Sequence, residues 1–198
     1  MSQDVDVIKA ALKEANSALT NFINNDPAIA TLSKASDVIV EAIKSGGKII
    51  SCGNGGSMSD AMHFAEEMTG RFRKSRAPYP AIAISDPALI SCIANDYGYE
   101  YVFSRFVEST CSSRDVLLAI STSGNSKNVI EAVKVAKSKN MKVIGLTGTA
   151  NSQLTSLSDV AIVTSFGKWA DRVQEMHIKC IHILIELIER KLSPELYD

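Results

Sequence analysis

Residues 51–67 read SCGNGGSMSDAMHFAEE, and within them an apolar run ends, three glycines follow and a helical pattern begins. The run itself is KIISC, residues 48–52, so the glycine loop joins a strand to a helix that extends to about residue 71. Four more apolar runs follow: PAIAIS at 80–85, DVLLAIS at 115–121, KVIGLT at 142–147 and DVAIVT at 159–164. Their alternation with helical patterns predicts an α/β fold, a three-layer sandwich with a five-stranded parallel sheet covered on both faces. Upstream, Val7, Ile8, Ala11, Leu12, Ala15, Leu19, Phe22 and Ile23 recur at helical spacing, and a second such pattern covers residues 29–43. Downstream, a last helix from about 169 to 191 carries Val173, Ile178, Ile181, Leu184, Ile185 and Ile188. No repeat or linker divides the chain, so residues 1–198 read as a single domain with residues 1–45 as an N-terminal helical extension.

Composition narrows the function classes. With 45% hydrophobic and 22% charged residues the chain is an ordinary soluble globular protein, neither disordered nor membrane-spanning. Lys plus Arg (21) nearly cancels Asp plus Glu (22), so no global field recruits nucleic acid, and an anionic ligand must be held by a local device. The basic run RFRKSR, residues 71–76, has Phe72 as its one stacking aromatic and reads as a solvated or subunit-facing surface, with Arg71 alone able to reach a nearby site. Cys52, Cys92, Cys111 and Cys180 stand singly in apolar surroundings, which predicts buried, reduced thiols and a cytoplasmic location. The start MSQDVDVIKAALKEA is acidic and helical, unlike a signal peptide.

In an open α/β sheet the ligand sits at the carboxyl ends of the strands, and two loops there stand out. GNGGS, residues 53–57, lacks both the G-x-G-x-x-G spacing of dinucleotide sites and the lysine of a P-loop, which disfavours a nucleotide cofactor. Its glycines allow close backbone approach, and the helix start offers free N–H donors; tight packing of helix on sheet would select the same residues. STSGNS, residues 121–126, supplies hydroxyls from Ser121, Thr122, Ser123 and Ser126 at a second helix start. One hydroxyl would suffice for a helix cap at Ser123 or Ser126, and four in six residues point to a phosphate clamp.

Behind the glycine loop, His63 and Glu67 are four apart on one helix face. An exposed helix pair would have the same spacing; the place beside the loop favours a site. On the last helix Asp171, Gln174, Ile178 and His182 fall in one stripe about 80° wide, while His177 points away and reads as a hydrogen-bonded structural residue. His182 interrupts the apolar run CIHILIELI, and an imidazole there needs a partner, which points to a site.

Together GNGGS with DAMHFAEE, PAIAISD, ANDYG at 94–98, ISTSGNS and ADRVQEMHIKCIHILIELIE resemble the sugar isomerase (SIS) domain family over nearly the whole chain. The resemblance implies a flavodoxin-like sheet and a phosphosugar bound by the serine loop. It is strongest to the branch that converts sedoheptulose 7-phosphate to D-glycero-D-manno-heptose 7-phosphate, the first step towards ADP-heptose. It implies Glu67 and His182 as the catalytic pair, leaving open which is acid and which is base. It further implies that Asn54, Gly55, Gly56, Ser57, Asn95, Asp96 and Gln174 line the sugar, with Asp171 orienting neighbours. Zinc, one ion per subunit, would be held by His63, Glu67, Gln174 and His182, at sites built between subunits of a homotetramer. The alternative is a non-catalytic SIS protein, either an assembly factor for a replication initiator or a phosphosugar sensor. Such a protein has no need of a proton-transfer carboxylate.

Overall fold

In the computed structural model, which describes residues 3–165 and 169–197, the five apolar runs form one parallel sheet. The strands are β1 (Ile49–Cys52), β2 (Ala81–Ala83), β3 (Val116–Ser121), β4 (Lys142–Thr147) and β5 (Val160–Val163), in the order β2-β1-β3-β4-β5. Helices α1 (Gln3–Ile23) and α2 (Asp26–Lys44) precede the sheet. Then come α3 (Gly56–Thr69), α4 (Pro87–Asp96), α5 (Ser104–Thr110), α6 (Lys127–Ser138), α7 (Gln153–Leu157) and α8 (Ala170–Leu192). Residues 1 and 2 of the expected N-terminal extension lie outside the described residues. No described helix is long and apolar enough to cross a membrane.

Alternation along the strands builds the two outer layers. Ile49, Val116, Leu118 and Ile120 face a core shared with α2, α3 and α8, whereas Ile50, Leu117 and Ala119 face one shared with α5 and α6. Consequently α3, which follows β1, and α6, which follows β3, lie on opposite faces. Neighbouring strands whose connections depart to opposite faces leave a crevice at their carboxyl ends, the topological switch point. The glycine loop and the serine loop flank that crevice.

Three sequence expectations need correction. Helix α3 stops at Thr69, two residues early, where Gly70 donates its N–H to the Glu66 carbonyl. Cys92 is exposed, not buried, because it turns outward on α4 while its neighbour Ile93 enters the core. The basic run is only partly surface, since the Arg76 side chain is 1% exposed and paired with the fully buried Glu189.

Candidate active site

The glycine loop is shaped by two close approaches. Gly55, the N-cap of α3, has φ of +55°, a left-handed value that a side chain would strain. A Cβ on Gly56 would stand 2.7–2.8 Å from the Gln174 amide, so Gln174 lies directly over the start of α3. Asn54 forms a reciprocal amide pair with Asn128 of α6, 2.8 Å each way, and accepts from the Tyr99 hydroxyl at 3.1 Å. This pair ties one loop to the helix that follows the other. Nothing local to either asparagine announces a partner 74 residues away, and sequence reasoning missed Asn128 and Tyr99.

The serine loop is organised around Ser121. Its hydroxyl meets Ser126 Oγ at 2.9 Å and Ser123 Oγ at 3.5 Å and accepts from the Gly124 N–H at 3.1 Å. Ser126 occupies the N-cap position of α6 yet makes no side-chain capping bond, so capping does not explain it. The hydroxyls instead converge beside the first N–H groups of α6, the arrangement that suits an anion.

Helices α3 and α8 then run side by side. Gln174 sits over Gly56, and two turns on His63 Nε2 stands 3.0 Å from His182 Nε2, the rings edge to face at 5.1 Å. Glu67 Oε1 lies 3.6 Å from the same His63 nitrogen, and Glu66 Oε1 lies 3.2 Å from His63 Nδ1. Thus His63 and Glu67 share one face as their spacing predicts, and His182 joins them as the resemblance implies, with Glu66 as an unforeseen fourth group. Among the described residues, His63, Glu66 and Glu67 offer ligand atoms all within 4.8 Å of one another, a possible metal-binding group. Burial, reinforced by Glu66, raises the Glu67 pKa. Burial also lowers that of His182, with His63, Lys179 and Arg73 adding to it. The Glu67 shift raises its proton affinity, as suits a general base, whereas the His182 shift favours the neutral imidazole.

Other expected residues sit further out. Asn95 and Asp96 are exposed at the end of α4, where Asn95 donates to Asp96 at 2.8 Å. Asp171 is exposed in the first turn of α8, 3.8 Å from Arg172. Asp60, one turn before His63 and not anticipated, is a buried carboxyl with Oδ2 unpartnered, its pKa pushed up to about 6 by burial.

His177 is structural, as its orientation predicts, but it is not hydrogen-bonded as expected: it is fully buried and neither ring nitrogen has a partner of ordinary geometry. The Thr147 backbone favours the charged form slightly, while burial dominates and pulls the pKa down to about 4. An unfolded histidine titrates near 6.5, so this contribution is complete above pH 6.5 and is lost as pH falls towards 4, about 3 kcal/mol in all. His177→Leu is expected to flatten the decline of thermal stability between pH 7 and 4.5. An unchanged slope in the variant would place the acid lability elsewhere.

Comparisons with known proteins identify the family. A family model described as SIS domain matches residues 12–148. A phosphoheptose isomerase of Pectobacterium atrosepticum is 56% identical over 96% of this chain and 98% of its own length. That of Cytophaga hutchinsonii is 57% identical over 93% and 97%. Among solved structures, the phosphoheptose isomerase GmhA from Neisseria gonorrhoeae superposes with a TM-score of 0.86 at 36% identity, covering 93% of this chain and 97% of the other. One from Francisella tularensis gives 0.88 at 32% identity, covering 96% and 100%. The chain belongs to the SIS domain family and, within it, to the phosphoheptose isomerases.

Proposed function

We propose that the protein is an aldose–ketose isomerase converting sedoheptulose 7-phosphate to D-glycero-D-manno-heptose 7-phosphate, in the first step towards ADP-heptose for lipopolysaccharide core or related glycans. The observation that carries the reading is the meeting of Glu67, His63 and His182 on α3 and α8. Glu67 lies about 16 Å along α3 from the glycine loop, so one sugar would take its loops and this trio from different subunits of the assembly. The names of the relatives support the substrate. A sensor or assembly factor would have no use for a half-buried carboxylate whose proton affinity is raised.

The phosphate is held by Ser121, Thr122, Ser123 and Ser126, and the sugar chain extends across Asn54, Gly55, Gly56 and Ser57 towards Gln174. Asn95 and Asp96 approach from α4, and Asp171 orients neighbours. Glu67 removes a proton from C1 of the open-chain ketose; the electron pair forms the C1–C2 double bond as the C2 oxygen gains a proton. The resulting enediol takes a proton at C2 from Glu67 and loses one from the C1 hydroxyl, leaving the aldehyde. His182 serves the oxygens, delivering one proton and removing the other.

The donor set fits zinc. Two ligand atoms of a tetrahedral zinc stand about 3.3 Å apart, and the observed separations of 3.0 Å between imidazole nitrogens and 3.6 Å to the carboxylate bracket that value. His63, Glu67 and His182 would hold one ion per subunit, with Glu66 orienting the His63 ring. Gln174, the fourth donor that the resemblance implies, stands two turns away over Gly56 and would have to come from a neighbouring subunit. When bound, the ion would polarise the carbonyl.

The functional unit in this reading is a cytoplasmic homotetramer that binds no nucleic acid, with sites at subunit interfaces and the whole of 1–198 as one SIS domain. Two apolar features support the assembly: Val7, Ile8 and Leu12 are exposed along α1, and Phe22, Ile23, Ile29, Met176 and Ile183 line a cleft beside His182. Sedimentation velocity reads this directly.

Incubation with five- to seven-carbon ketose phosphates in heavy water tests the chemistry. Sedoheptulose 7-phosphate should turn over best, and solvent deuterium should appear at C2 of the aldose because a carboxyl proton exchanges before delivery. Product without label at early and late conversion would replace the enediol path by direct hydride transfer between the carbons. No product from any of these sugars would favour the binding protein.

A further inference from the structure

Helix α3 ends at Thr69, two residues after Glu67, and helix ends leave their last carbonyls without intrahelical partners. Arg76 supplies them. Its Nη2 donates to the Glu67 carbonyl at 2.8 Å, and its Nη1 to the Met68 carbonyl at 2.9 Å, with the Gly70 and Ala77 carbonyls at 3.3 and 3.2 Å. From the same guanidinium, Nε donates at 2.6 Å to Glu189 of α8, two turns beyond His182. The other Glu189 oxygen accepts from the Tyr197 hydroxyl at 2.7 Å. Tyr79 stacks under the guanidinium at 4.1 Å and its hydroxyl meets Ser193 at 2.8 Å.

With side chains 1% and 0% exposed, Arg76 and Glu189 cannot touch a substrate. Nor does stability alone account for them, because well-packed apolar residues commonly serve as well as a buried ion pair. What the pair does is geometric. One rigid fork grips the backbone of Glu67 and, through Glu189, the helix that carries His182. We infer that Arg76, held by Glu189, is a positioning residue of the isomerase: it fixes Glu67 on α3 relative to His182 on α8. The inference rests on the roles proposed above for Glu67 and His182.

Arg76→Lys tests it, because a lysine is a single point charge that cannot reproduce the fork to both carbonyls and Glu189 at once. A double variant, Arg76→Met with Glu189→Met, removes both charges and leaves neither buried alone. Each is expected to fold, by circular dichroism and thermal melting, to keep KM within about threefold, and to lose about 10- to 100-fold in kcat, the effect of a misplacement near 1 Å. Zinc retained per subunit after loading and desalting should fall as well, since the donors share the same frame. Glu67→Gln measured alongside separates the two levels of the argument. If that variant keeps its turnover, the assignment of Glu67 fails whatever Arg76 does. If it is inactive while both folded Arg76 variants hold kcat within twofold, the positioning role is overturned and the Glu67 role stands. Failure of both Arg76 variants to fold would also overturn it, leaving a purely structural pair.

Discussion

Glu67→Gln is expected to lower kcat by about two to four orders of magnitude, the range that a positioned general base contributes, while fold and KM stay close to the parent's. The amide keeps the shape and can still meet His63, which the carboxylate approaches at 3.6 Å, but it cannot accept a proton from carbon. Burial and Glu66 raise the pKa of this carboxyl in the metal-free chain, and the base must be ionised, so the acid limb of kcat/KM measured without metal should be displaced upward from that of an unperturbed carboxyl. Metal content measured on the same preparation divides ligand from base. Activity restored by excess zinc would make Glu67 chiefly a ligand, whereas activity that stays lost with a full complement of zinc makes it the base. A kcat within tenfold of the parent, at any metal content, would remove Glu67 from proton transfer.

Much of this site is legible in the sequence because its signals are local. The runs at 48–52 and 115–121 end in the two loops that the sheet order brings to one crevice, and His63 with Glu67 declares itself by a four-residue spacing. His182 is visible as one polar residue in an apolar run, and the structure supplies the partner that this demanded. Long-range pairs are another matter. Arg76 looks like part of a solvated basic run because its counter-charge lies 113 residues away. The available signal was on the other helix: Glu189 follows Ile181, Leu184, Ile185 and Ile188 within the buried stripe of α8 and needs a cation there. The short helices α4, α5 and α7 belong to the expected alternation but have no individual bounds in the sequence, because seven- or five-residue segments offer hardly two turns of periodicity, and α4 shows a single buried residue, Ile93. Cys92 was misplaced for a related reason: apolar neighbours in sequence do not share a helix face.

Gly124→Ala is expected to weaken phosphosugar binding by about 30- to 1,000-fold in KM, with only a modest fall in kcat. Gly124 has φ of +65°, and a Cβ there would stand 2.2 Å from Ser152 Oγ, 2.5 Å from Ser152 Cβ and 2.8 Å from Thr147 Oγ1. Those neighbours are themselves fixed: Ser152 and Thr147 are buried, and Ser152 accepts from the Thr155 N–H and meets its hydroxyl at the start of α7. The left-handed backbone costs an alanine about 1–2 kcal/mol and the overlap a further 1–3 kcal/mol, so the loop relaxes rather than the core. Relaxation breaks the 3.1 Å bond from the Gly124 N–H to Ser121 Oγ, and with it the 2.9 Å meeting of Ser121 and Ser126 that gathers the hydroxyls. The phosphate is unchanged between ground and transition states, so this loss is paid mainly in KM. Inorganic phosphate as a competitive inhibitor should weaken in parallel, which separates a damaged clamp from a damaged sugar site. A normal inhibition constant for phosphate in a folded Gly124→Ala protein would show that the serine loop does not hold the phosphoryl group.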